Sequence, residues 1–204
     1  MKNVWWLVIF LFFTKISFAQ NSFTPDSVQL EFKVTRINSM LSIDGRLSEE
    51  EWSQAMGSGG FVQLEPQQGK PSRYKTVVKG MYNKKNLYIG FFCFSGNEPE
   101  KIRVPDLKRD FAYKQHDMVA VCFDGFNDKR NSMTFACNAY GAQKDYLAYD
   151  DVFFDSDWNG LWKVRTTQTD SGWYAEFEIP WKTLRYDETT NGEYKFNINF
   201  LRVK

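Results

Sequence analysis

The sequence predicts an all-β fold, an antiparallel β-sandwich of immunoglobulin- or jelly-roll-like type with one or two short helices, and three observations carry this. Apolar residues recur with period two in short runs. Gly, Asn, Asp and Pro punctuate those runs at turn-like intervals. Phe, Tyr and Trp make up 18% of the 204 residues, and aromatic side chains favour pleated, half-buried surfaces.

The first element is not part of the sandwich. Met1-Lys2-Asn3 is a short positive start, and Val4 to Phe13 is an apolar run broken by Thr14 and Lys15. A bilayer span takes roughly 20 apolar residues, so the run is too short for one. Ser17-Phe18-Ala19 then offers a small-x-small cleavage site before Gln20. This is the pattern of a secretory signal peptide over residues 1–19. It predicts an exported protein, in the periplasm, the outer membrane or the extracellular space. A polar leader, 20–27, precedes a sandwich over 28–204.

Strands are expected at Val28 to Arg36, Phe61 to Leu64, Lys75 to Tyr82, Leu87 to Phe94, Met118 to Phe123, Met133 to Asn138, Trp162 to Thr167, Trp173 to Ile179 and Tyr194 to Val203. Leu87 to Phe94 is apolar on both faces, as a strand covered on both sides would be. In the Trp173 strand, Tyr174, Glu176 and Glu178 alternate with apolar residues, which predicts one wet face. Ser48-Glu49-Glu50-Glu51 reads as a capping box opening a short helix with Trp52 and Ala55 on its apolar stripe. Pro180, with φ preset and no amide to satisfy, can start a turn through Trp181 to Leu184. Because Tyr194 to Lys204 reads as a strand with no closing turn, the chain is expected to be the front part of a longer protein, its sandwich truncated at the C-terminal end.

Charge and composition exclude several functions. Lys and Arg number 26 against 25 Asp and Glu, so no bulk charge draws the chain to nucleic acid or an anionic membrane. With one histidine, His116, histidine-centred triads and multi-histidine zinc sites are nearly excluded. Cys93, Cys122 and Cys137 form no metal spacing and read as small buried hydrophobes. Hairpin pairing places Cys122 opposite about Met133, which disfavours a bridge to Cys137.

Two constellations remain. Asp155, Asp157, Asn159 and Gly160 match the opening of a calcium loop, with oxygen ligands at alternate positions and a Gly at the turn. The bidentate Glu is missing, since Thr166 holds the twelfth position, and a solvated Asx turn explains the same residues. No cofactor is required on this reading, although calcium is compatible with it. The other constellation suits sugar, whose C–H faces stack on aromatic rings and whose hydroxyls pair with polar side chains. Tyr113, Tyr146, Tyr149, Trp158 and Trp162 lie near Arg109, Asp110, Asp145 and Asn159 in turn-rich sequence, though each Trp could equally pack in the core. Adjacent acids at Asp150 and Asp151 do not establish the facing carboxyl pair that glycoside hydrolysis needs.

From Ile43 to Ala55 (IDGRLSEEEWSQA) the chain resembles the opening of the family 9 carbohydrate-binding modules. Further matches follow in order: Asn86 to Phe91 (NLYIGF), Asp117 to Val121 with Phe123-Asp124, Gly172 to Pro180 (GWYAEFEIP) with Leu184, and Phe196 to Asn199. Arg109-Asp110, Asp124 to Arg130, Asn138 to Gly141 and Asp157 to Trp162 resemble, more narrowly, the version at the N-terminus of large exported Bacteroidota proteins, where a strand-rich domain follows. The resemblance implies a non-catalytic module that binds polysaccharide or oligosaccharide, often attached to glycoside hydrolases and sometimes holding calcium. In such modules the sugar lies between two aromatic rings. Tyr113, just before the Asp117 strand, is a displaced substitute for one; the other would come from beyond the last matched strand. Expected contacts are Tyr113 as stacking surface, Trp158 beside it, and Arg109, Asp110 and Asn159 as polar partners. The competing expectation is a structural or interaction domain that packs on a C-terminal membrane-associated domain and binds no sugar.

Overall fold

The computed structural model describes residues 30–95, 102–150, 152–187 and 196–204. The signal peptide, the leader, the start of the first expected strand and Tyr194 lie outside the described residues. The fold is a sandwich of two five-stranded sheets. In chain order the elements are β1 (Val34–Arg36), α1 (Glu50–Gln54), β2 (Thr76–Tyr82), β3 (Asn86–Phe94), β4 (Met118–Asp124), β5 (Ser132–Asn138), β6 (Gln143–Tyr149), β7 (Phe153–Asp155), β8 (Lys163–Thr169), β9 (Gly172–Pro180) and β10 (Asn197–Val203), with 3-10 turns at Tyr113–Gln115 and Trp181–Thr183. The first sheet runs β1-β2-β3-β9-β8 and the second β10-β4-β5-β6-β7. Every pairing is antiparallel except β1 with β2, where Val34 lies opposite Gly80 in a parallel register.

The sheets meet over one aromatic core. Phe91, Phe177 and Trp173 from the first sheet pack against Phe123 and Phe135 from the second. Trp162, just before β8, joins them: its indole stacks on Phe177 with centroids 5.6 Å apart and takes Phe135 edge-on at 5.5 Å. Cys93 and Cys137 lie in this core, while Cys122 sits half-buried with its sulfur 3.2 Å from the Thr134 hydroxyl; all three are free thiols. Burial pushes the Cys93 thiol up to about 12. The register sets Cys122 opposite Thr134 and Val119 opposite Cys137, so the two cysteines are not cross-strand neighbours.

Both outer faces are partly covered, and this corrects several expectations. The segment from Ile37 to Ala55 lies over the first sheet, burying Trp52 with Met81 and Tyr88. β3 is therefore covered on both sides, as its composition implied. The outer face of β9 is not wet: Glu176 is fully buried and Glu178 nearly so. The Ser48 capping box does not form. Glu49 occupies the N-cap with no side-chain cap bond, its carboxyl turns toward Asp44 and Glu176, and Glu51 accepts from the Ser39 hydroxyl at 2.6 Å instead of reaching back. Phe61 to Leu64 is not a strand but carries a single bridge, Val62 to Pro71. Of the first expected strand only Val34–Arg36 pairs. Conversely, β6 and β7 are strands where turn-like sequence masked them.

Three of the sequence segments quoted above meet at one point. Gly45 has φ +84°, and a Cβ there would lie 2.7 Å from the Thr166 backbone nitrogen, so both conformation and space demand glycine. Gly90 is glycine because Leu47 and Trp52 pack directly on its Cα. Between them Glu176 Oε2 accepts the amides of Asp44 and Gly45, each at 3.0 Å, and Oε1 accepts the Trp52 indole N–H at 3.1 Å.

Candidate functional site

The expected polar contacts converge at the open edge between β6 and the β7–β8 loop. Their hub is Asp145 on β6, whose side chain has no exposed area and points inward. Burial of a carboxylate is costly unless it is hydrogen-bonded and paired, and Asp145 has both: Arg109 Nη2, the Gly160 amide and the Trp162 indole N–H all donate to it. Arg109 is then fully engaged. Its Nε donates to Asn159 Oδ1 at 2.9 Å and its Nη1 to Gln143 Oε1 at 3.0 Å, with Asp110 3.7 Å away as a further ion pair. Asn159 Nδ2 donates to the Asp157 carbonyl at 3.0 Å. The structure thus brings Arg109, Asp110, Asp145 and Asn159 together, but most of their hydrogen-bonding capacity is spent on one another. They form a rigid frame.

Beside this frame lies a shallow cleft of about 370 Å³ lined by Trp158, Asn159, Lys182, Thr183 and Arg185 among others. The Trp158 ring is half-buried; its inner edge packs on Phe135 at 5.8 Å. The 3-10 turn after Pro180 supplies the opposite wall, and Thr183 Oγ1 donates to the Leu161 carbonyl at 2.6 Å, tying the two walls together. Sequence reasoning found Trp158 and Asn159 but not Lys182, Thr183 or Arg185. Ordinary exposed cations in a turn carry no local signal, and only the third dimension sets them across from an indole.

Tyr113 stands apart from the cleft. It opens a 3-10 turn ahead of β4 and is 44% exposed, with the Lys114 ammonium 6.0 Å from its ring centroid. Its electrostatic neighbour is Tyr146, on the outer face of β6; burial pushes the Tyr146 hydroxyl up, Cys122 adds to this, the Thr134 hydroxyl opposes it, and Tyr113 contributes a smaller rise. Tyr113 and Trp158 therefore do not share one groove. Trp162 belongs to the core. His116 is structural as well: it is buried, its Nδ1 lies 3.2 Å from Asn138 Nδ2, and its ring packs on Phe111.

The residues of the calcium-loop pattern do not fit a cation. Asp155 Oδ1 accepts the Asp157 amide at 3.0 Å, an Asx turn, and Asn159 Oδ1 carries the Arg109 guanidinium, a positive group where a ligand sphere would have to form. The carboxylates that do approach one another are Asp44, Glu49 and Glu176, within 4.8 Å, at the seam between β9 and its cover. Burial pushes Glu176 up to about 7, against the lowering effect of the Gly45 amide and the Trp52 indole, and the Glu49 carboxyl raises it further. No helix among the described residues is long and apolar enough to cross a membrane.

No family model matches the sequence, and no curated protein shows a significant match to it. Solved structures do match. A protein of Bacteroides uniformis proposed to bind carbohydrate aligns with a TM-score of 0.62 at 11% identity, over 83% of this chain and 81% of that one. A family 9 carbohydrate-binding module of Caldicellulosiruptor kristjanssonii, solved in complex with glucose, aligns with a TM-score of 0.51 at 15% identity, over 81% of this chain and 76% of that one. The two-sheet sandwich described above is accordingly the fold of the family 9 carbohydrate-binding modules.

Proposed function

We propose that this chain is an exported, non-catalytic module that binds polysaccharide or oligosaccharide, as part of a larger envelope protein or beside a glycoside hydrolase. The observation that carries the reading is the Trp158 cleft. It is an indole face with polar groups opposite, set on a frame of buried hydrogen bonds, in a fold whose Caldicellulosiruptor kristjanssonii representative was solved with glucose. Rigid aromatic surfaces with a few placed polar groups suit a sugar ring, which offers both C–H faces and hydroxyls. The signal-peptide pattern at residues 1–19 supports export. Among the described residues the carboxylates that cluster, Asp44, Glu49 and Glu176, lie at the seam between β9 and its cover and not in the cleft, which argues against hydrolysis by a facing acid pair.

A glycan array probed with residues 20–204 tests this. Binding to at least one glycan is expected, with Trp158→Ala weakening it by about tenfold or more while a melting curve reports the fold. If Tyr113→Ala abolishes binding and Trp158→Ala does not, the sugar lies on the Tyr113 face. A folded sample that binds no glycan overturns the reading.

One observation favours a second function. Val152, Phe153 and Phe154, on and just before the edge strand β7, are each more than 60% exposed. Such an apolar edge is characteristic of an interaction surface and fits a structural domain docking on the membrane-associated domain expected beyond this chain. Replacement of Phe153 and Phe154 by Lys would then disturb assembly of the longer protein and leave glycan binding intact.

A further inference from the structure

The charged groups that line the cleft are of one sign. Asn159 is committed to Arg109 and Asp157, the Gly160 amide to Asp145, and the Thr183 hydroxyl proton to Leu161. The charged side chains on its wall are Lys182 and Arg185. Both side chains are exposed, and among the described residues neither has an acidic or hydrogen-bonding partner in the structure. No Asp or Glu lines the cleft. Several other cations near the sandwich ends are paired, Lys163 with Glu178, Arg130 with Asp150 and Lys204 with Asp117.

A neutral sugar presents hydroxyls that donate as well as accept, and it gains no ion pair from a cationic cleft. This one offers charged donors on one wall and an indole on the other. Ammonium and guanidinium groups donate and never accept, and their bonds to carboxylate or sulfate oxygens are about twice as strong as those between neutral groups. The volume falls within the roughly 300–1,000 Å³ of small-molecule sites. Resting on the carbohydrate-binding reading, we propose that the Trp158 cleft selects an anionic saccharide, the ring stacking on Trp158 while its carboxylate or sulfate is held by Lys182 and Arg185.

Calorimetric titration of residues 20–204 with trigalacturonate, its fully methyl-esterified form and a sulfated galactose oligomer tests this. The free acid, the sulfated oligomer or both should bind, and comparison of the two identifies the anion. The methyl ester, with the same backbone and no charge, should bind at least about tenfold more weakly. Raising salt from 0.05 to about 0.5 M should weaken binding of the acid, since exposed charges are screened. Lys182→Gln and Arg185→Gln, at exposed positions outside the core, should each weaken the anionic ligand several-fold and leave the melting temperature unchanged. Equal binding of acid and ester, or glycan binding indifferent to both substitutions, overturns the anionic preference while leaving carbohydrate binding standing. Failure of the folded chain to bind any acidic or neutral glycan overturns both.

Discussion

Asp145 and Glu176 are the same device completed in opposite ways. Each is a carboxyl buried on a central or near-central strand, and each accepts one glycine amide (Gly160 or Gly45) and one indole N–H (Trp162 or Trp52). Asp145 also receives a guanidinium from Arg109, whereas Glu176 receives the neighbouring carboxyls of Glu49 and Asp44. The first arrangement is an ion pair with one end wet; the second concentrates negative charge under a tryptophan. The difference teaches which of the two seams is closed by an opposite charge and which is crowded by like ones. It also explains where each lies: the paired carboxyl frames the cleft, and the crowded one fastens the cover over the first sheet.

The comparison can be broken most forcefully at Asp145. Asp145→Ala removes three acceptor bonds and strands the Arg109 guanidinium, and urea unfolding should report a loss of about 3 kcal/mol, below the full cost for a buried pair because Arg109 is partly exposed. A loss under about 1 kcal/mol would mean that the frame is ornamental. Next in size is the pH response of Glu176. Its folded value of about 7 lies above the ordinary 4.5, so between those values the folded state holds a proton that the unfolded state has released. Stability contributed by this group is present below pH 4.5, falls as pH rises toward 7 and is flat above. The decrease should be about 2 kcal/mol after allowance for partial solvation. An NMR titration of the Glu176 carboxyl would locate it, and a midpoint near 4.5 would remove the contrast.

Smaller effects sharpen it further. Trp52→Phe and Trp162→Phe each delete one indole donor while keeping an aromatic ring, at about 1 kcal/mol apiece in thermal or urea unfolding. Only Trp52→Phe should also move the Glu176 titration upward. Smallest is Glu49→Gln, which removes a like charge near Glu176. The titration should move down by less than about one unit, flattening the stability decline between pH 4.5 and 7 by under about 1 kcal/mol. No movement would show that burial alone sets the Glu176 value.

Much of the sandwich was legible from sequence because β5 and β9 carry apolar residues at every second position, while β3 and β4 are continuous apolar runs bounded by turn residues. The rest was hidden for identifiable reasons. β6 reads Gln-Lys-Asp-Tyr-Leu-Ala-Tyr, so its core-facing position is a charged residue; only the Arg109 clamp makes that placement affordable. The Glu alternation in β9 looked like a wet face because nothing local reveals that residues 37–55 fold back over it. The capping box at Ser48 failed because Glu49 is drawn to the Glu176 seam. At the site, Arg109, Asp110 and Asn159 were found through residue chemistry and do assemble, but as a scaffold. The residues left free to meet a ligand, Lys182 and Arg185, lie some 25 residues downstream of Trp158 in the sequence, joined to it only through the fold.

The order of strands has a kinetic consequence. β3 lies between β2 and β9, which begins 86 residues later in the chain, and β4 lies between β5 and β10, which begins 79 residues later. β2-β3, the β4-β5-β6-β7 meander and the β8-β9 hairpin pair locally, and none of them closes the sandwich alone. Pairings so distant in sequence make folding slow, and here each sheet is completed only when β9 or β10 joins it. A chain closed in this way acquires its final shape only once β10 has been synthesised and has reached β4.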